Sequence, residues 1–335
     1  MTLLTATVDF TKPGVQHGHL LIPYSYNLGG WAKLMVPITV IANGDGPTAL
    51  VMAGNHGDEY PGQVALLKMC RETKLEDVAG RLILIPCLNM PASRAMTRLS
   101  PLDGKNFNRC FPGNPAGTVS EMLADYLTTV LFPLADIVVD MHTGGRSVDF
   151  IPCAHMHLVD DREQRRQMRA GTEAWNCDLA FIYADVAGTG LLPAEAERQG
   201  KIVITTELGG GEVVTAAVHR LTQSGLNNVL RHFRVLRGDV VPRKQPVRWV
   251  QSVDSEDYRF APESGMYESL VDLGADVAAG QAVGQIHFVE RPDREPVPII
   301  APSAGVLVTC RGPSMVVQGD SVATIAHDVP ADLWQ

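Results

Sequence analysis

Gly54-Asn55-His56-Gly57-Asp58-Glu59 follows an apolar run at 48–52 and precedes an apolar-periodic segment at 64–69. That order reads as strand, tight loop, helix. The loop carries an imidazole and a carboxylate three residues apart, His56 and Glu59, with glycines on both sides of the histidine. Those glycines let the backbone turn sharply and approach whatever the side chains hold. One imidazole and one carboxylate suit a zinc ion, and a catalytic zinc needs one further protein ligand while leaving a position for water. A candidate is His142 in Asp140-Met141-His142-Thr143-Gly144-Gly145, which ends another apolar run at 137–139. Asp140 stands two residues before it and suits the role of a carboxylate that orients a ligand imidazole.

Working outward, strands and helices alternate. Strands are expected at 48–52, 81–85, 137–141, 180–183 and 201–206, and helices at 62–72, 161–175, 194–199 and 213–234. The 81–85 stretch is almost purely aliphatic, the pattern of a strand buried on both faces. Thr118 and Glu121 form a capping box ahead of Val119, Met122, Leu123, Tyr126, Leu127, Val130 and Leu131 at helical spacing. Between them lies a polar loop, 89–117, containing Arg94, Arg98, Asp103, Asn106, Asn108 and Arg109; a loop of that length and content favours function. The alternation implies an α/β layered domain over 1–237, with a β-rich segment at 1–45. From 238 to 335 short Val/Ile runs are separated by Gly, Asp and Pro. A weak repeat relates Ala261-Pro262-Glu263-Ser264-Gly265 to Ala301-Pro302-Ser303-Ala304-Gly305. Two such halves suggest a small pseudo-symmetric β-barrel or sandwich, similar to the biotinyl/lipoyl carrier fold. The region has no lysine beyond Lys244 for a carrier role, so a lid or oligomerisation module is the expectation.

The chain has 335 residues, 45% apolar and 19% charged, with a net charge of −9, which fits a globular protein and argues against nucleic acid as the main partner. Its most basic stretch, 162–169, is interleaved with Glu163 and Gln164 and reads as a solvated helix face. Six scattered cysteines without a CxxC pattern suggest free thiols in a reducing compartment. No signal-peptide core is apparent and no apolar run approaches the ~20 residues that cross a bilayer. A soluble cytoplasmic protein with no membrane partner is expected.

Glu207 ends the 201–206 strand at a glycine turn, Gly209-Gly210-Gly211. On the same sheet edge as the ligands it is a candidate general base; a helix-capping glutamate is the bland alternative. Arg98, Asn108 and Arg109 are candidates for gripping an oxyanion or a substrate carboxylate, against a reading in which they solvate a surface loop. His155 and His157 are spaced by two and could share a strand face; a second metal is conceivable there, but an ordinary surface or core pair is the expectation, as it is for His17 and His19. The cysteines have no nucleophile motif.

The motifs G-N-H-G-D-E at 54–59, N-F-N-R-C-F-P-G at 106–113, D-M-H-T-G-G at 140–145 and T-E-L-G-G-G at 206–211 occur in the order seen in the succinylglutamate desuccinylase/aspartoacylase family, a branch of the zinc carboxypeptidase superfamily. The chain resembles that family over about 48–235. The resemblance implies an α/β/α sandwich with a mixed central sheet plus a C-terminal all-β barrel-sandwich domain. It implies one Zn2+ per chain on His56, Glu59 and His142. Glu207 would then be the base, Arg98 the carbonyl-polarising arginine, and Asn108 with Arg109 the pair that holds the substrate carboxylate. Further motifs, among them Gly14-Val15-Gln16-His17-Gly18 and Ser100-Pro101-Leu102-Asp103-Gly104, resemble the subgroup that deacetylates N-alpha-acetyl-L-2,4-diaminobutyrate in ectoine breakdown. The implied partners are a small N-acyl amino acid and further copies of the chain. A cationic substrate side chain calls for an acidic residue, with Asp149, Asp185 and Glu195 as candidates. Aspartoacylase-like or desuccinylase-like specificity, a carboxypeptidase, and a non-catalytic binding protein are the alternatives.

Overall fold

The computed structural model describes residues 3–183, 189–243, 245–331 and 333–334. The chain opens with β1 (Thr5–Ala6), β2 (Gly14–Pro23) and β3 (Lys33–Ala42), paired antiparallel in that order. β4 (Thr48–Ala53), α1 (Tyr60–Glu72), β5 (Arg81–Ile85), α2 (Met90–Ala95), α3 (Val119–Tyr126), α4 (Phe132–Leu134) and β6 (Ile137–His142) follow. Next come β7 (Val148–Phe150), β8 (Cys153–Met156), α5 (Arg162–Ala174), β9 (Leu179–Tyr183), α6 (Leu192–Arg198), β10 (Ile202–Glu207) and α7 (Ala216–His232). The rest is β: β11 (Arg248–Ser252), β12 (Tyr258–Phe260), β13 (Gly265–Ser269), β14 (Asp276–Val277), β15 (Ala282–His287), β16 (Val297–Ile300), β17 (Gly305–Arg311), β18 (Met315–Val316) and β19 (Ser321–Asp328).

The large sheet runs β1-β2-β3-β5-β4-β6-β10-β8-β9-β11 and continues through β19-β17-β14. It is mixed. β5, β4, β6 and β10 are parallel, and β8 enters antiparallel beside β10. Every residue of β4 and β6 is buried because helices cover both faces. On one face Ala49, Val51 and Ala53 pack with Leu66 of α1 and Leu226 and Val229 of α7. On the other, Leu50 and Met52 pack with Leu123, Leu127 and Phe132. Fully burying each of the larger side chains contributes about 1.5–3 kcal/mol.

The expected helix after Thr118 forms, and the Thr118 N–H donates to Glu121 Oε2 at 2.8 Å. It is not uniform: it widens into a π turn over Leu127–Leu131 before α4. Pro133 has no N–H to return to the preceding turn, a physical reason for the break. The 89–117 stretch is less irregular than its composition suggests, holding α2 and a 3-10 turn at Phe107–Arg109. β7 and β8 were not anticipated. No described helix is long and apolar enough to cross a membrane.

The repeat after residue 257 has a structural counterpart. β12 to β15 and β16 to β19 are two successive sets of four strands. β13 pairs with β15 and β17 with β19 inside each set. The sets also exchange partners: β13 pairs with β18 and β17 with β14, while β12 joins β19 and β16 joins β15. One resulting four-stranded antiparallel sheet is β16-β15-β13-β18; its mate is hydrogen-bonded into the large sheet through β11 and β19. Val283, Ile286, Leu307 and Ile325 lie in the core between them. β7 also pairs with β17, which ties this region to the segment just after His142.

Candidate metal and active site

β4 and β6 are parallel neighbours with Met52 opposite Asp140, so the loop after β4 and His142 emerge at the same sheet edge. β10 lies on the other side of β6, with Glu207 in register with His142. Three chain segments thereby converge where an open α/β sheet places its ligands. The 54–59 loop needs its glycines. Gly54 has φ +72, and a Cβ at Gly57 would stand 2.0 Å from the Ala92 carbonyl carbon of α2.

Glu59 is the N-cap of α1, yet its carboxylate makes no capping bond. It is turned to two imidazoles instead. Its Oε1 lies 2.7 Å from His56 Nδ1, and its Oε2 lies 2.9 Å from His142 Nδ1. Oε2 also accepts the Thr143 N–H at 3.1 Å. Each ring holds its outer nitrogen on an acceptor. His56 Nε2 is 3.0 Å from Asn106 Oδ1, and that oxygen is identified by the Asn108 N–H it also accepts. His142 Nε2 is 2.9 Å from Asp140 Oδ2, to which Asn55 Nδ2 donates at 3.2 Å. Both Nε2 atoms therefore carry protons, and Nδ1 is the nitrogen each ring presents to the centre.

His56, Glu59 and His142 are buried and offer ligand atoms within 4.8 Å of one another. Two nitrogens and a carboxylate oxygen, with oriented rings and an open side, fit a catalytic zinc. Electrostatics agree with a cation-binding centre. Burial drives the His56 imidazole below its ordinary value, with Glu59 opposing. Burial would also lower His142, but the Asp140 and Glu59 carboxylates outweigh it and hold that ring well above 6.5. Burial raises the Glu59 carboxyl, and the two imidazoles more than reverse this, leaving it strongly acidic.

Glu207 faces this centre. Its Oε2 is sealed from solvent without a hydrogen-bond partner among the described residues. Burial, followed by the charge of Glu59, pushes its carboxyl up to about 8. Arg98 reaches in from the 89–117 stretch and places its NH1 3.3 Å from both Glu59 Oε1 and His56 Nδ1. Asn108 Oδ1 accepts the Leu192 N–H at 2.8 Å, which leaves its amide N–H groups as the free function. Arg109 is steered by the Asn108 carbonyl, 2.6 Å from its NH1.

His56, Glu59, His142 and Glu207, with Arg98, Asn108 and Arg109, line one cavity of about 360 Å³. The cavity is also lined by Val148 and Phe150 of β7, Phe181 and Tyr183 of β9, and Tyr258, Thr309 and Thr324 from the C-terminal strands. His155 of β8 also lines it. Among the described residues the lining carboxylates are Glu59 and Glu207, both at the metal end. The acidic candidates for a substrate side chain fare poorly. Asp149 sits between Val148 and Phe150 on β7 and faces away from the cavity those two line. Glu195 is tied to Arg198 at 2.7 Å on α6 and does not line it either. Asp185 lies outside the described residues. His157 is paired with Glu197 at 2.8 Å. Asn106 was legible only as a member of the polar loop and the 106–113 motif, and His155 only as one of two histidines spaced by two.

The catalytic-domain profile of the succinylglutamate desuccinylase/aspartoacylase family matches residues 45–233. The chain is 41% identical to N-alpha-acetyl-L-2,4-diaminobutyric acid deacetylase of Halomonas elongata, over 97% of this chain and 95% of that protein. The product-bound ectoine utilization protein EutE (DoeB) of Ruegeria pomeroyi is similar in structure, with TM-score 0.94 and 38% identity over 98% of this chain and 99% of that one. A succinylglutamate desuccinylase structure from Silicibacter gives TM-score 0.94 and 39% identity with the same coverage. The chain belongs to the succinylglutamate desuccinylase/aspartoacylase family.

Proposed function

We propose that the protein is a zinc-dependent amidohydrolase that removes an acetyl group from the α-nitrogen of L-2,4-diaminobutyrate. The observation that carries this reading is the convergence of His56, Glu59 and His142 with Glu207 at one end of a cavity that Asn108 and Arg109 also line. The likeness to the Halomonas and Ruegeria proteins supports the substrate.

His56, Glu59 and His142 would hold a zinc ion, which would supply Lewis-acid polarisation and lower the pKa of water toward about 7. The chain's own groups do the rest. Glu207 accepts a proton from the attacking water, and a cation at the ligand set counters the repulsion by Glu59 that raises its carboxyl. Arg98 donates to the oxyanion as the carbonyl carbon becomes tetrahedral. Glu207 then returns the proton to the departing nitrogen, the C–N bond breaks, and acetate and the free amine result. Asn108 amide and Arg109 guanidinium donors hold the carboxylate of the amino-acid part. In this reading 1–237 is the hydrolase domain. Residues 238–335 are a barrel-sandwich domain that serves as a lid or an oligomerisation module; that Tyr258, Thr309 and Thr324 line the cavity supports the lid.

The test is amine release from N-alpha-acetyl-L-2,4-diaminobutyrate, N-acetyl-L-aspartate and N-succinyl-L-glutamate. Selective turnover of the first is expected. Selective turnover of a dicarboxylic substrate would overturn the substrate assignment while leaving the amidohydrolase chemistry intact.

A further inference from the structure

We infer that His155, in the cavity wall, is a specificity residue, and that its Nε2 accepts a hydrogen bond from the amine that ends a short aliphatic substrate side chain. This deepens the proposed function and rests on it.

His155 is buried, lines the cavity, and sits in register with Thr205 across the β8–β10 ladder. The Thr205 Oγ1 is 2.8 Å from the His155 carbonyl oxygen and 2.9 Å from its Nδ1. A hydroxyl has one proton. Two oxygens 2.8 Å apart need it between them, so Thr205 donates to the carbonyl and must accept from Nδ1. Nδ1 is thus protonated. In the neutral ring Nε2 is then a lone-pair acceptor, and this distal nitrogen is sealed from solvent without a partner among the described residues, so a substrate donor meets it by a small turn of the ring toward the cavity that His155 lines. Burial, with His142 and His157 adding to it, drives the ring well below 6.5 and keeps it neutral.

A buried acceptor without a donor wants an N–H or O–H from a ligand. Its surroundings select among donors. Tyr183 packs its ring 4.8 Å from that of His155, and Phe181 and Tyr183 share the wall. Aromatic faces with a neutral imidazole welcome a cationic amine. A second carboxylate is repelled by the Nε2 lone pair. The reach is suitable too. His155 lies opposite Thr205, two residues along β10 from Glu207, about 7 Å at strand spacing. That spans the few bonds from a scissile amide to the end of a two-carbon side chain.

The experiment compares N-alpha-acetyl-L-2,4-diaminobutyrate with N-alpha-acetyl-L-norvaline, whose terminal methyl replaces the amine at nearly equal volume. The zinc-loaded wild type is expected to favour the amine by about 10- to 100-fold in kcat/KM, the range of one hydrogen bond to a charged group. His155→Phe should bring that ratio close to one, chiefly by raising KM for the amine substrate. His155→Gln, which keeps an acceptor, should retain part of it. Inhibition of the unmodified protein by L-2,4-diaminobutyrate and by L-norvaline gives the same comparison without any variant, and the amine should inhibit more strongly. An unchanged ratio in His155→Phe overturns the inference and leaves the deacetylase reading standing. So does loss of the preference in Asp185→Asn with its retention in His155→Phe. Equal handling of amine and methyl by the wild type also overturns it. If neither substrate is hydrolysed, the proposed function itself fails and this inference falls with it.

Discussion

Replacing Glu207 with glutamine should remove turnover and stabilise the metal-free protein at once. Glu207 is half-buried beside Glu59, its Oε2 is sealed and has no partner among the described residues, and its carboxyl lies at about 8 rather than 4.5. The folded state therefore holds a proton that the unfolded chain releases. Between pH 4.5 and 8 this destabilises the fold increasingly as pH rises, and the loss levels off above about 8. At 1.36 kcal/mol per tenfold, the full displacement corresponds to roughly 5 kcal/mol, and water in the cavity screens part of it. An amide has the same shape and no charge, so Glu207→Gln should gain about 2–4 kcal/mol over wild type at pH 8 and close to nothing at pH 4.5. The assay is urea and thermal unfolding of both metal-free proteins across that range, with amine release measured on the zinc-loaded forms. Turnover should fall by about 10²- to 10⁴-fold with zinc still bound. A stability difference independent of pH would refute the burial reasoning, and a Glu207→Gln variant with full activity would refute the base assignment.

Other perturbations probe the supports of the site. Gly57→Ala puts a methyl 2.0 Å from the Ala92 carbonyl carbon, so the 54–59 loop must shift; a lower melting temperature and weaker zinc retention are expected, and an unchanged protein would count against the close approach. Asp140→Asn weakens the acceptor that orients His142, and competition with a chromophoric chelator should show zinc affinity reduced by about 10- to 100-fold. Arg109→Lys loses the planar fork beside Asn108, so steady-state kinetics should show a raised KM with a smaller change in kcat; a large kcat loss at constant KM would place Arg109 at the reacting carbonyl instead.

The cluster of His56, Glu59 and His142 with Glu207 was legible in the sequence for a physical reason. Buried parallel strands read as aliphatic runs, their ends are marked by glycine, and His56, Glu59, His142 and Glu207 stand just past such ends. What the outer nitrogens of the ligand rings bond to was only half visible. Asp140 is two residues from His142, but Asn106 is fifty residues from His56 and joins it only when the long loop folds back. Much of the cavity lining was hidden for the same reason. β7 and β8 are short, and their partners β17 and β10 lie far along the chain, so the spacing of His155 and His157 hinted at a strand face while nothing local marked Phe150. Asp149 looked available because a sequence does not say which side of a three-residue strand faces a cavity. The repeat at 261 and 301 did foretell two similar β sets, but not their exchange of strands, since pairing between sets leaves no trace in either alone.

The most direct test of the central claim is amine release from N-alpha-acetyl-L-2,4-diaminobutyrate by protein stripped of metal and then given one equivalent of zinc. The expected result is no turnover in the stripped protein and full recovery at one zinc per chain, with no recovery in a His142→Ala variant. Undiminished turnover in the stripped protein, or recovery in the variant equal to wild type, would contradict it.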